Sequence, residues 1–148
     1  EDLYVPAGGT RRPASEATVA ANDHTMRMNG RQVFKFATRV MVTSARRALD
    51  AAGFEPDDVD LYVPHQANKR IIDHAVRELG IPEEKVVVNV DRFGNTSAAS
   101  IPICLDEMTE AGKLAGGARV LMTGVGTGLT WGSALIDWPA AVDGGASA

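Results

Sequence analysis

The sequence predicts an α/β chain: a mixed sheet covered by helices on both faces. Three observations carry that expectation. Amphipathic helical stretches alternate along the chain with short apolar, β-branched runs. Runs such as 61–63 lack the apolar–polar alternation of a half-exposed strand, as a sheet buried on both faces requires. The last two runs, 119–123 and 130–137, are separated only by a glycine-rich turn at 124–128, so they should pair antiparallel.

The elements follow in order. Residues 3–5 read as a short strand ended by Pro6, and 7–25 as a polar, exposed connection or flap. From Gly30 to Ala52 the apolar residues Val33, Phe34, Ala37, Val40, Met41, Ala45, Ala48 and Leu49 keep helical spacing, and Gly53 is a C-terminal stop. The run 61–63, ended by Pro64, is a buried strand, and 68–79 a second helix closed by Gly80. Residues 86–90 read as another strand, giving way to a turn at 92–95. Thr96 or Ser97 can cap a third helix running to Ala111, with Gly112 as its stop. The division is a leading segment 1–25, a body 26–138 and a small, polar, disordered tail 139–148.

The 148 residues suffice for one hydrophobic core, and 45% hydrophobic with 23% charged residues is ordinary globular composition. A net charge of −4, without aromatic interleaving or a recognition motif, argues against nucleic acid as a partner. A single cysteine, Cys104, excludes an internal disulfide and points to a reducing, cytoplasmic compartment. No apolar run is long enough to cross a bilayer, so no membrane role is expected. The start at Glu1 rather than Met points to processing, cleavage or excerpting.

Two positions share one chemical logic. His65 follows a buried strand and precedes a helix, and Asn95 does the same after the run 86–90. Carboxyl ends of strands are where open α/β sheets bind ligands. An Asn amide and a neutral imidazole can both donate hydrogen bonds to one oxygen, as an enolate on a thioester carbonyl requires. A surface histidine and a turn-forming asparagine are the plain alternatives. Glycines at 124–128 permit close backbone approach to a ligand, and a tight hairpin wants them equally.

Arg27, Arg31, Lys35 and Arg39 recur every four residues with no acidic residue between them, and Lys69 and Arg70 extend the set. Such a stripe is a docking face for an anionic partner or simply a solvated face. Cys104 sits among apolar neighbours and reads as a buried structural residue. His24 and His74 have no metal-ligand spacing. No metal or resident cofactor is expected.

The segments MNGRQVFK (28–35), VPHQAN (63–68), DRFGNTSAASIP (91–102) and GLTWGSAL (128–135) resemble, in this order, the β-ketoacyl-acyl-carrier-protein synthase III family. The resemblance runs from about Leu3 to Trp138. It implies the C-terminal half of a thiolase-like fold, whose other half carries a nucleophilic cysteine. The family condenses a short acyl-CoA primer with malonyl-acyl carrier protein (malonyl-ACP) by decarboxylative Claisen condensation. By this likeness His65 and Asn95 promote the decarboxylation, while Gly30, Arg31, Phe34, Ala67 and Asn68 line the channel for the pantetheine arm of CoA. Lys35, Lys69 and Arg70 match carrier-protein docking positions. The backbone of Gly126, Thr127 and Gly128 matches the acyl oxyanion loop, where Thr127 replaces a common glycine. Implied partners are the N-terminal half, as a companion chain or covalent parent, acyl carrier protein, acyl-CoA and a second copy in a homodimer. Alone the chain is expected to be inactive. Two other expectations stand beside this one: an acyltransferase of secondary metabolism with an unusual primer, and a non-catalytic carrier-protein-binding subunit.

Overall fold

The computed structural model describes residues 2–140. Its elements are β1 (Leu3–Tyr4), α1 (Glu16–Ala20), β2 (Arg27–Met28), α2 (Gly30–Ala52), β3 (Leu61–Pro64), α3 (Lys69–Leu79), α4 (Val90–Phe93), α5 (Ser100–Glu110), β4 (Arg119–Gly126) and β5 (Thr130–Asp137). The main sheet is mixed, in the order β3-β4-β5. β3 lies parallel to β4, with Tyr62 opposite Leu121, and β4 antiparallel to β5, with Leu121 opposite Leu135.

Successive strand residues point to opposite faces, and the two cores follow that alternation. On one face Tyr62 and Leu121 pack against Ala37, Met41, Ala45 and Leu49 of α2 and Ile72, Ala75 and Leu79 of α3. On the other, Leu61, Val63 and Val120 pack against Cys104 of α5. The sheet is therefore covered by helices on both faces. Each large aliphatic side chain so buried stabilises the fold by about 1.5–3 kcal/mol.

The long helix α2 ends where the glycine stop places it. Gly53 has φ +76°, and its N–H donates to the Asp50 carbonyl while Phe54 N–H donates to that of Leu49 at 3.0 Å. This crossed pair closes the last turn and needs a residue that tolerates positive φ. Arg46 ties α2 to α3 by donating to the Glu78 carbonyl at 2.7 Å.

Several local expectations are corrected. The polar segment 7–25 contains α1, capped by Ser15, whose Oγ accepts from Thr18 N–H. Arg27 lies in β2, paired with β1, so the basic stripe on α2 consists of Arg31, Lys35 and Arg39. β4 continues three residues past the expected end at Thr123, with Gly124 and Gly126 inside the ladder, and the turn is 127–129. The turn expected at 92–95 is partly helical, α4 being stopped by Gly94. Neither Thr96 nor Ser97 caps the third helix through its side chain. Ser97–Ala99 is a 3₁₀ turn that leads into α5.

The run 86–90 is the principal departure. It lies beside β3 but forms a single bridge, Val86 with Tyr62, and Val87 N–H donates to the Tyr62 carbonyl at 2.9 Å. The next parallel hydrogen bond would come from the N–H of residue 64, and that residue is proline, which has none. The ladder stops there, and Val90 already belongs to α4.

Pro139 and Ala140 follow β5 without regular structure; the remainder of the expected tail lies outside the described residues.

Candidate active site

One cavity of about 670 Å³ gathers most of the residues singled out in the sequence. It is lined by His65, Asn95, Gly30, Phe34, Ala67 and Asn68, and by the backbone segment 124–127. A larger, open groove of about 800 Å³ between α3 and residues 80–88 contains neither His65 nor Asn95.

His65 is held from three sides. β3 ends at Pro64, so the chain leaves the sheet at His65, whose N–H donates to the Thr123 carbonyl at 2.8 Å. Its carbonyl accepts from Ala67 N–H at 2.9 Å. On the ring, Nδ1 meets the hydroxyl of Ser100 at 2.5 Å. Nε2 has no hydrogen-bond partner among the described residues. Partial burial holds the imidazole pKa below its ordinary value, because desolvation penalises the charged ring. The ring is neutral at pH 7 and keeps one N–H to donate.

Asn95 reaches the same cavity from the turn after α4. Its Oδ1 accepts from the backbone N–H of Ser97 at 3.0 Å, which fixes which end of the amide is oxygen. The Nδ2 group is left free to donate. The turn is held by Glu107 on α5, which accepts from Asn89 Nδ2 at 2.7 Å and pairs with Arg92.

Gln66 was not singled out in the sequence, yet it joins the two halves of the site. It is fully buried, donating from Nε2 to the carbonyls of Pro64 (2.8 Å) and Val87 (3.1 Å). Its Oε1 accepts from the N–H groups of Asn89 (2.9 Å) and Val90 (3.1 Å). The one available signal was its position directly after His65, two residues beyond the strand-ending Pro64.

The remaining expected residues are spread more widely. Asn68 lines the cavity and also caps α3, its Oδ1 accepting from Arg70 N–H at 2.9 Å. Arg31 and Gly128 lie outside the cavity lining, and Lys35 is exposed on α2. Arg70 stands over the Phe34 ring at 5.3 Å, placing a cation beside a cavity-lining aromatic. Lys69 is paired with Asp73 at 2.7 Å and borders the other groove. Cys104 is buried in the second core, and burial pushes its thiol up to about 11. Among the described residues no group of His, Cys, Asp or Glu is arranged to hold a metal ion. No helix among them is long and apolar enough to cross a membrane.

A mixed sheet layered between helices, with His65 just past the carboxyl end of β3 and Asn95 in the same cavity, is the architecture of a thiolase-like half-fold. The family model described as 3-oxoacyl-[acyl-carrier-protein] synthase III C terminal matches residues 49–138, and the chain belongs to this family. Among curated relatives, the β-ketoacyl-[acyl-carrier-protein] synthase III of Desulfitobacterium hafniense (strain DSM 10664 / DCB-2) is 54% identical over 136 residues, 92% of this chain and 41% of that protein. The crystal structure of the synthase III from Thermus thermophilus superposes with a TM-score of 0.77 at 53% identity, covering 80% of this chain and 37% of that one. The synthase III of Pseudomonas aeruginosa PAO1 gives a TM-score of 0.80 at 41% identity, over 93% of this chain and 39% of that one. The chain thus spans about two fifths of the length of these relatives.

Proposed function

We propose that this chain supplies the decarboxylating side of a β-ketoacyl-ACP synthase III active site. The whole enzyme would join an acyl-CoA primer to malonyl-ACP and so begin fatty-acid synthesis. The observation that carries this reading is the shared cavity, in which His65 and Asn95 each keep a side-chain donor unpartnered among the described residues.

The malonyl carboxylate leaves as carbon dioxide, and the electron pair of the broken C–C bond passes into the thioester as an enolate. Nε2–H of His65 and Nδ2–H of Asn95 donate to the enolate oxygen as negative charge develops there. Donors fixed before the reaction need no reorganisation in the transition state, which is the source of their catalytic value. The enolate carbon then attacks an acyl group carried on a cysteine thioester, forming the new C–C bond and expelling the thiolate. That cysteine is assigned to the part of the enzyme this chain does not span. Cys104, buried and with its thiol pKa raised, is unsuited to the task.

Gly30, Phe34, Ala67 and Asn68 form the wall along which a pantetheine arm would lie, and Arg31, Lys35 and Arg70 offer cations to the CoA phosphates or an acidic carrier protein. Lys69 shares its charge with Asp73 and contributes less to this field. The backbone of Gly126, Thr127 and Gly128 is assigned to the acyl end by the family likeness, and Gly126 and Thr127 line the cavity.

The test is malonyl-thioester decarboxylation by the complete enzyme containing this chain, comparing wild type with His65→Ala and Asn95→Ala. Loss of decarboxylation in both, with acyl transfer to the cysteine retained, is the expected result. Unchanged decarboxylation in both would favour a non-catalytic, carrier-binding role.

A further inference from the structure

Ser100 is the first residue of α5, five positions beyond Asn95, and is 2% exposed. Among the described residues its hydroxyl has one hydrogen-bond partner, Nδ1 of His65 at 2.5 Å. The threonine hydroxyls Thr38 and Thr109 turn back onto the preceding turn of their helices, at Phe34 and Leu105. Ser100 instead crosses to the end of β3.

We propose that Ser100 is a positioning residue that sets the tautomer of His65, donating its hydroxyl proton to Nδ1 so that the ring proton resides on Nε2. This rests on the decarboxylating role given to His65 above, and it follows from counting protons. A neutral imidazole carries one N–H and the serine one O–H. If Nδ1–H donated to Ser100, the serine proton would need another acceptor, and none is described within reach of this buried group. Nε2 would then present a lone pair, not a donor, to the substrate oxygen. With Ser100 donating, both protons are placed and Nε2 carries the hydrogen the enolate requires. Charging the ring would put a proton on Nδ1 as well and break this arrangement. The lowered pKa of His65 agrees with a ring kept neutral.

The backbone contacts of His65 leave the ring free to turn about its side-chain bonds, and Ser100 removes that freedom. The hydroxyl comes from the helix whose Cys104 packs on Leu61 and Val63 of the strand that ends in the histidine. The same stretch of chain carries Asn95, so one segment sets both donors.

The experiment uses the complete enzyme with ¹⁵N-labelled histidine at pH 8. Long-range ¹H–¹⁵N correlation reads the tautomer, and the His65 signals are identified by their loss in His65→Gln. The expected wild-type pattern is Nε2–H with an accepting Nδ1. Ser100→Ala should give a tautomer mixture, and Ser100→Thr, which keeps the hydroxyl, should retain the wild-type pattern. With malonyl-CoA as probe, Ser100→Ala should lower decarboxylation kcat by about tenfold, the worth of one hydrogen bond, with a smaller change in KM. An Nδ1–H tautomer in the wild type, or a pure Nε2–H tautomer in Ser100→Ala, would overturn the proposal. A wild type that shows the Ser100-dependent tautomer but decarboxylates nothing would refute the functional reading while upholding the role of Ser100.

Discussion

The side-chain amide of Gln66 donates to the Val87 carbonyl at 3.1 Å, in the place where the parallel ladder would have used the N–H that Pro64 lacks. One side chain thereby replaces strand pairing and fixes the distance between the chain ends bearing His65 and Asn95. Replacing Gln66 by Leu leaves two buried carbonyls and two N–H groups without this partner. The expected loss is about 2–4 kcal/mol of stability by urea denaturation, built from unmade buried hydrogen bonds. Gln32→Leu, at an exposed position on α2, should change the midpoint little.

The two donors of the cavity should behave differently from such a structural residue. His65→Ala and Asn95→Ala are each expected to lower malonyl decarboxylation by about 10²–10³-fold, the range for removing one preorganised oxyanion donor. Thermal unfolding of Asn95→Ala should change modestly, since the residue is exposed and its one described hydrogen bond is local. A collapse of the fold in this variant would mean that Asn95 is structural.

The pH dependence has two windows of the same sign. Burial lowers the pKa of His65 in the folded chain, so the unfolded chain binds the proton more readily. The His65 contribution is intact above the unfolded value of about 6.5 and is lost as pH falls through the lower folded value. Glu107 is lowered by its hydrogen bond to Arg92 and then by that to Asn89, so its contribution holds above the ordinary carboxylate range and fades below it. Denaturation midpoints between pH 7.5 and 5 should fall in wild type and fall less in His65→Gln. Equal slopes in the two would contradict a buried, neutral His65.

Cys104 should be inert. With no exposed surface and a thiol pushed up to about 11, it has almost no thiolate at pH 7. Iodoacetamide followed by peptide mass analysis should leave it unmodified in the folded protein and label it in denaturant. Rapid labelling in the native state would show that α5 opens readily from the second core.

Periodicity fixed the chain's long-range layout because each signal was local and redundant. In α2, apolar spacing and the Gly53 stop agreed, and the observed helix spans Gly30–Ala52. β5 also formed with its expected bounds, Thr130–Asp137, directly after the glycine-rich turn. The run 86–90 misled for a physical reason: its β-branched residues favour extended backbone, but a ladder needs a donor from its neighbour, and that neighbour is Pro64.

His65 and Asn95 were legible as candidates from their places after apolar runs, and the family likeness sharpened them. Their shared cavity, the Gln66 clamp and the Ser100 contact were not, since each joins residues distant in sequence. Residues 65 and 100 meet only because α5 packs on the far face of the strand that ends in the histidine. The sequence by itself determined the three long helices, the main strands and the residues capable of donating hydrogen bonds, because backbone propensity and side-chain chemistry are local properties. Only the tertiary structure decided which donors remain free and which are used to hold the others, because hydrogen-bond partners at the ends of strands are chosen by packing between distant segments.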